Sequence, residues 1–171
     1  MIIPELAMKA LSVLIAALTF GLSAGDAAAK SRPFRASDYP LEVRKTLGLG
    51  PVTCREVEGG GKLGFAPDTV RRVDFNGDGI KDHIVSFENT TCGGAKTGGF
   101  CGSGGCMVDF LATLPNGKIR SVFADQIHGY EILRGHPRKV RFWIFHGYCP
   151  NRSDGCPKDV RIGYRLFTPI R

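Results

Sequence analysis

The side chains best suited to chemistry sit within nine residues near the middle of the chain. Val73–Val85 reads VDFNGDGIKDHIV, and within it Asp74-x-Asn76-x-Asp78-Gly79-x-x-Asp82 sets oxygen-bearing side chains at positions 1, 3, 5 and 9 of a loop, with glycine at position 6. Ca²⁺ takes several hard oxygen donors, and this spacing wraps short carboxylate and amide side chains around one point. Position 7, Ile80, would add its backbone carbonyl. Gly79 permits a sharp turn that bulkier residues resist. Three carboxylates this close repel one another unless a cation lies between them. The competing reading is a metal-free hairpin loop, because Asn, Gly and Asp also populate ordinary turns.

The loop is not a complete EF-hand. Position 12, where a bidentate glutamate belongs, is Val85, and His83–Phe87 reads as a strand rather than an exiting helix. It resembles instead the Asp-x-Asn-x-Asp-Gly-x-x-Asp calcium loops of FG-GAP/VCBS-type repeats, which lie between β-strands. That resemblance implies Asp74, Asn76, Asp78, the Ile80 carbonyl and Asp82 as Ca²⁺ ligands. The match occurs once, whereas a β-propeller needs several copies. It therefore implies one calcium-bearing strand–loop–strand. More broadly, the chain resembles a set of short exported bacterial proteins that carry this loop, a Cys/Gly-rich insert and a final His-Gly…Cys…Cys segment. That wider likeness implies export and the calcium loop, and no mechanism.

The six cysteines are Cys54, Cys92, Cys101, Cys106, Cys149 and Cys156. An even count in an exported chain predicts three disulfides. Cys149–Cys156 is the first pair expected, because it closes CPNRSDGC between two strand-like runs. Cys92, Cys101 and Cys106 share the glycine-rich stretch CGGAKTGGFCGSGGC, whose ordering cross-links would ease. One of that trio must reach outward, with Cys54 as the expected partner. Zinc is disfavoured because no Cys-x-x-Cys occurs.

Ser153-Asp154-Gly155-Cys156-Pro157-Lys158 also resembles the Ser-His-Gly-Cys-x-Arg nucleophile motif of L,D-transpeptidases, which cross-link peptidoglycan through a cysteine thiolate. That resemblance implies a Cys156 nucleophile, with His128-Gly129 or His146-Gly147 as the upstream His-Gly. Asp154 stands where the motif has histidine, and a carboxylate beside a thiol raises its pKa. Cys149 offers a disulfide partner, so cross-linking is the expected role. Gly59-Gly60-Gly61-Lys62-Leu63 lacks the frame of a phosphate loop. Cys101-Gly102-Ser103-Gly104-Gly105 lacks the first glycine of a nucleophile elbow. His83 and His136 have no zinc spacing and read as surface residues. A further class is an inhibitor-like binding protein of the kind that blocks lysozyme, which a basic domain would approach against like charge.

The elements that must carry these residues read as mostly β. Ser37 or Asp38 caps a short helix over Pro40–Leu47, ended by Gly48 or Gly50. From Val70 onward the signal is strand. Val108, Phe110, Ala112 and Leu114 alternate with Met107, Asp109, Leu111 and Thr113, and after Pro115-Asn116-Gly117 a second alternating run follows over Ile119–Phe123. Asn-Gly between two such runs marks a hairpin. Lys139–Tyr148 and Val160–Phe167 read as two further strands, and the alternation in the latter predicts an antiparallel sheet with one wet face. The expected fold is mostly β (α+β minor): a small disulfide-stapled antiparallel sheet with one short N-terminal helix.

Location follows from the N-terminus. Met8–Ala29 joins Lys9, an apolar run over Ala10–Ala24 and small residues at Ala27-Ala28-Ala29, the pattern of a cleaved signal peptide. Translation starting at Met8 fits that pattern better than starting at Met1. The run is too short for a membrane span, so the cleaved protein is not expected to span a membrane. Residues 1–29 are thus read as signal peptide, 30–38 as a flexible leader and 39–171 as one β-rich domain, periplasmic or secreted. The formal charge of +7 favours anionic partners, an anionic cell-envelope component among them. The basic residues are too scattered for a nucleic-acid groove. Taken together, the residues predict an exported, non-catalytic, Ca²⁺-binding domain that presents a basic sheet face, with a peptidoglycan-acting cysteine enzyme as the alternative.

Overall fold

Pro115-Asn116-Gly117 closes the longest hairpin among the described residues. Strand β7 (Gly105–Thr113) pairs antiparallel with β8 (Ile119–Ile127). Gly117, at φ 78°, donates its amide to the Leu114 carbonyl, and Leu114 donates to that of Lys118. The computed structural model describes residues 33–57, 61–96, 99–135, 138–145, 149 and 156–164. The 1–29 segment read as a signal peptide lies outside these residues. So do His136, the His146-Gly147 pair and Ser153–Gly155.

The other edge of β7 is taken by β3 (Asp82–Ser86), which pairs with β2 (Val70–Val73), while the two-residue β6 (Cys101–Gly102) pairs with the start of β7. Alternation along β7 sends its side chains into two separate cores. Val108, Phe110 and Ala112 join Phe75, Ile84, Val122, Phe123, Val140, Phe142 and Ile144 on one face. Leu111 joins Val43, Leu47, Val70, Val85, Phe87 and Phe100 on the other. The middle strands of this sheet are therefore covered on both faces. A bulge between Phe110 and Leu111, opposite Val122, lets the consecutive Val122 and Phe123 both reach the first core.

A second sheet supplies the other wall of that first core. It runs β11 (Cys156–Val160), β10 (Lys139–Ile144), β9 (Gly129–Leu133), all antiparallel. In β10, Val140, Phe142 and Ile144 are buried while Lys139, Arg141 and Trp143 are not, so the one-wet-face pattern expected from the sequence belongs to this sheet. Its last strand begins earlier than Val160–Phe167 suggested. Cys156 lies opposite Ile144, where its disulfide to Cys149 holds it, and Arg161–Tyr164 leaves the ladder. A third, small sheet joins β1 (Leu63–Gly64), β4 (Thr91–Cys92) and β5 (Ala95–Lys96).

Helix α1 spans Leu41–Val57 and so runs well beyond the expected stop at Gly48 or Gly50. Gly48, Gly50 and Pro51 are poor helix residues, but Val43, Leu47, Gly50 and Cys54 fall on one buried stripe. At Gly50 a Cβ would lie 2.6 Å from Leu63 Cδ2, so this glycine serves close packing rather than a stop. Cys54 then ties the far end of the helix to Cys92. Tertiary contacts outweigh the local breakers. Ahead of the helix, a 3-10 turn spans Ala36–Asp38 in the stretch read as a leader, and Phe34 packs on Tyr39 and Phe65 with ring centroids 5.5 and 4.9 Å apart.

The fold is thus mostly strand with one helix and three disulfides: Cys54–Cys92, Cys101–Cys106 and Cys149–Cys156, with Cα separations of 5.6, 4.0 and 5.6 Å. No helix among the described residues is long and apolar enough to cross a membrane. Two buried titratable residues were not anticipated. Asp109 accepts hydrogen bonds from Thr46 of α1 (2.8 Å) and Ser121 of β8 (2.7 Å), locking the helix to the hairpin. His83, read as a surface residue, is 4% exposed on the helix-facing side of β3, and burial lowers its pKa. A short β3 flanked on both edges and covered on both faces buries Asp82–Val85.

Candidate site at the Asp74–Asp82 loop

The loop joins β2 to β3, and Val73 faces Asp82 across its base, the strand–loop–strand setting expected. Phe75 pins it from within: the ring is fully buried and meets Phe110 edge-on at 5.2 Å. Gly77 and Gly79 hold φ of 83° and 87°, a region open to glycine at little cost. A Cβ on Gly77 would also press on Arg138 Cγ at 3.1 Å.

The predicted ligand side chains organise the turn. Asp74 is 7% exposed and accepts from the Gly77 amide (2.6 Å) and the Gly79 amide (3.1 Å). Asn76 Oδ1 accepts from Asp78 N at 3.0 Å, and Asp78 Oδ1 accepts from Ile80 N at 2.7 Å. Asp78 Oδ2 takes hydrogen bonds from Asn76 Nδ2 and the Tyr164 hydroxyl. Asp82 is fully buried and joins three segments, accepting from Phe75 N (3.1 Å) and Thr113 N (2.8 Å). The nine-residue spacing thus brings Asp74, Asn76, Asp78 and Ile80 into one tight turn, with Asp82 at its root.

Electrostatics separates Asp82 from Asp78. Burial pushes Asp82 up to about 6 against the pull of its two amide donors, and the negative charges of Asp78 and Asp74 push the same way. Burial also works to raise Asp78, but the hydrogen bonds from Tyr164, Ile80 and Asn76 outweigh it and hold the carboxyl below its ordinary range. One cation already touches the loop. Arg138 Nη1 donates to the Asp74 carbonyl and lies 3.6 Å from Asp74 Oδ2.

The donor set is chemically right for Ca²⁺: hard oxygens, a buried first carboxylate and glycines where the turn needs them. Its present arrangement is not a closed cage. Among the described residues no group of three or more His, Cys, Asp and Glu side chains gathers closely enough to hold a metal. Asp74, Asn76 and Asp78 accept from loop amides, while Asp82 also accepts from Thr113 and Asp78 from Tyr164. Arg138 and Tyr164 are the residues of this site that the loop spacing did not reveal. They enter from β10's start and from beyond β11, and only the fold places them beside Asp74 and Asp78.

The other candidate centre, Cys156, is bonded to Cys149, and none of the six cysteines is free. In this state it has no thiolate with which to attack a carbonyl. No family model, curated protein sequence or solved structure matches the chain.

Proposed function

We propose that the chain is the precursor of an exported, non-catalytic binding domain in which Asp74, Asn76, Asp78, the Ile80 carbonyl and Asp82 hold one structural Ca²⁺. The observation that carries this reading is the crowding of three carboxylates into one turn, one of them, Asp82, fully buried. A divalent cation would relieve that crowding, and for Asp74 it would take over part of what Arg138 now supplies. The signal-peptide pattern of Met8–Ala29 supports export, and the three disulfides are of the kind that persist in the periplasm or outside the cell. The partner is an anionic component of the envelope or its surroundings. Because Ca²⁺ binds the folded loop and not the unfolded chain, it stabilises by mass action, by roughly 3 kcal/mol at a hundredfold excess over Kd.

Differential scanning calorimetry of the mature protein is expected to show the melting temperature rising with Ca²⁺ and not with K⁺. Asp78→Ala, at an exposed position of the loop, should abolish that rise while leaving the cation-free melting temperature within a few degrees. A melting temperature insensitive to millimolar Ca²⁺ would remove the metal from the reading and leave a metal-free loop.

A further inference from the structure

A groove on the described surface meets the Asp74–Asp82 loop only at Arg138 and carries the opposite charge to the loop. It has a volume of about 560 Å³, and arginines from three places line it: Arg71 of β2, Arg134 just after β9 and Arg138 just before β10. That size suits a small ligand or one unit of a polymer. Glu131 is the single acid in the lining, and its carboxylate lies 3.9 Å from Arg141, which makes its closer pair with Asp159 at 2.7 Å.

Arg71 makes no ion pair among the described residues. Its Nη1 donates to the Tyr130 hydroxyl at 3.2 Å, and its guanidinium lies 5.6 Å from the centre of the Tyr130 ring. Tyr130 is itself fixed edge-on against Phe110 at 5.1 Å. A guanidinium oriented by a neutral phenol keeps its charge and donors available to an oxyanion, which an aspartate partner would have cancelled. Arg134 forms no ion pair within the described residues, and the guanidinium of Arg138 contacts Asp74 while its stem lies against Gly77. Between the arginines, Val73, Ile132 and Leu133 give the groove apolar wall. Mixed charge and apolar surface matches a sugar ring, which has C–H faces and polar substituents.

We infer that this groove binds an anionic saccharide, engaging its carboxylate or phosphate through Arg71 and Arg134 and its ring against the Val73–Ile132 wall. The inference names the ligand class of the binding domain proposed above and rests on that reading, but not on its metal. The groove needs no Ca²⁺ to form.

Calorimetric titration of the mature protein in calcium-free, low-salt buffer tests it, with a galacturonic acid trimer, glucose 6-phosphate, a neutral glucose trimer and inorganic phosphate as probes. At least one of the two anionic sugars should bind, with the neutral trimer silent and inorganic phosphate weaker by about tenfold or more. Arg134→Gln, at an exposed position, and Arg71→Lys, which keeps charge but loses the planar fork, should each weaken binding by about tenfold, the scale of one charge-assisted hydrogen bond. Which sugar binds tells carboxylate from phosphate recognition. Three results overturn the inference: silence from both anionic sugars, phosphate binding as tightly as either sugar, or affinities unchanged in both variants. The Ca²⁺ melting shift, measured on the same three proteins, reports the loop separately. Its survival alongside silent sugar titrations would sink the groove and spare the metal.

Discussion

Phe110→Ala is expected to cost about 3–5 kcal/mol of unfolding free energy, the range for deleting a fully buried phenylalanine. Phe110 is wholly inaccessible and stands at the centre of the larger core. Its ring meets Phe75 at 5.2 Å, Phe123 at 5.6 Å, Tyr130 at 5.1 Å and Phe142 at 5.3 Å, in each case edge-on. Edge-to-face pairs contribute beyond the area they bury. Both proposed sites rest on this one ring, since Phe75 anchors the loop and Tyr130 orients Arg71. A domain of this size has only about 5–15 kcal/mol in hand, so the variant should sit near the edge of folding. Urea unfolding would show a large drop in midpoint, and Phe110→Leu, which keeps most of the volume, should lose much less. A loss under about 1 kcal/mol would mean that the two sheets do not share this core.

The second large effect is expected from Cys54→Ala with Cys92→Ala. This disulfide spans 38 residues, and chain entropy alone predicts a loss of about 4 kcal/mol for a loop of that length. Cys101–Cys106 spans 5 residues and should contribute about half as much, roughly 2 kcal/mol on the same basis. The Cys54 pair also holds the end of α1 that Gly48, Gly50 and Pro51 would otherwise loosen. Its removal should therefore reduce the far-UV helical signal before global unfolding, whereas opening Cys101–Cys106 should leave that signal intact. Equal losses from the two pairs, or an unchanged helical signal, would contradict this account of the helix.

These two residue groups also show what the sequence could reveal. Asn116-Gly117 marked the hairpin because its signal is local: a turn residue able to take φ of 78° between two alternating runs. The Asp74–Asp82 loop was legible for the same reason, as was the Cys149–Cys156 pair. The helix end was not, because Gly50 reads as a stop until Leu63 is seen packed against it. The start of β11 was hidden because CPKDV has little strand character of its own and is held opposite Ile144 by a disulfide. His83 looked like a surface residue because nothing local says that β3 is covered on both faces. Arg138 and Tyr164 reach the loop, and Arg71 and Arg134 share a groove, through pairings far apart in sequence. No spacing rule encodes such neighbours.

The loop remains the centre of the account, and the Ca²⁺ binding proposed for it is most directly read by isothermal titration of Ca²⁺ into the purified protein. One site per chain with measurable heat, lost in Asp78→Ala and retained in Arg134→Gln, is the predicted result. Absence of heat at millimolar Ca²⁺, or heat that persists unchanged in Asp78→Ala, would contradict it.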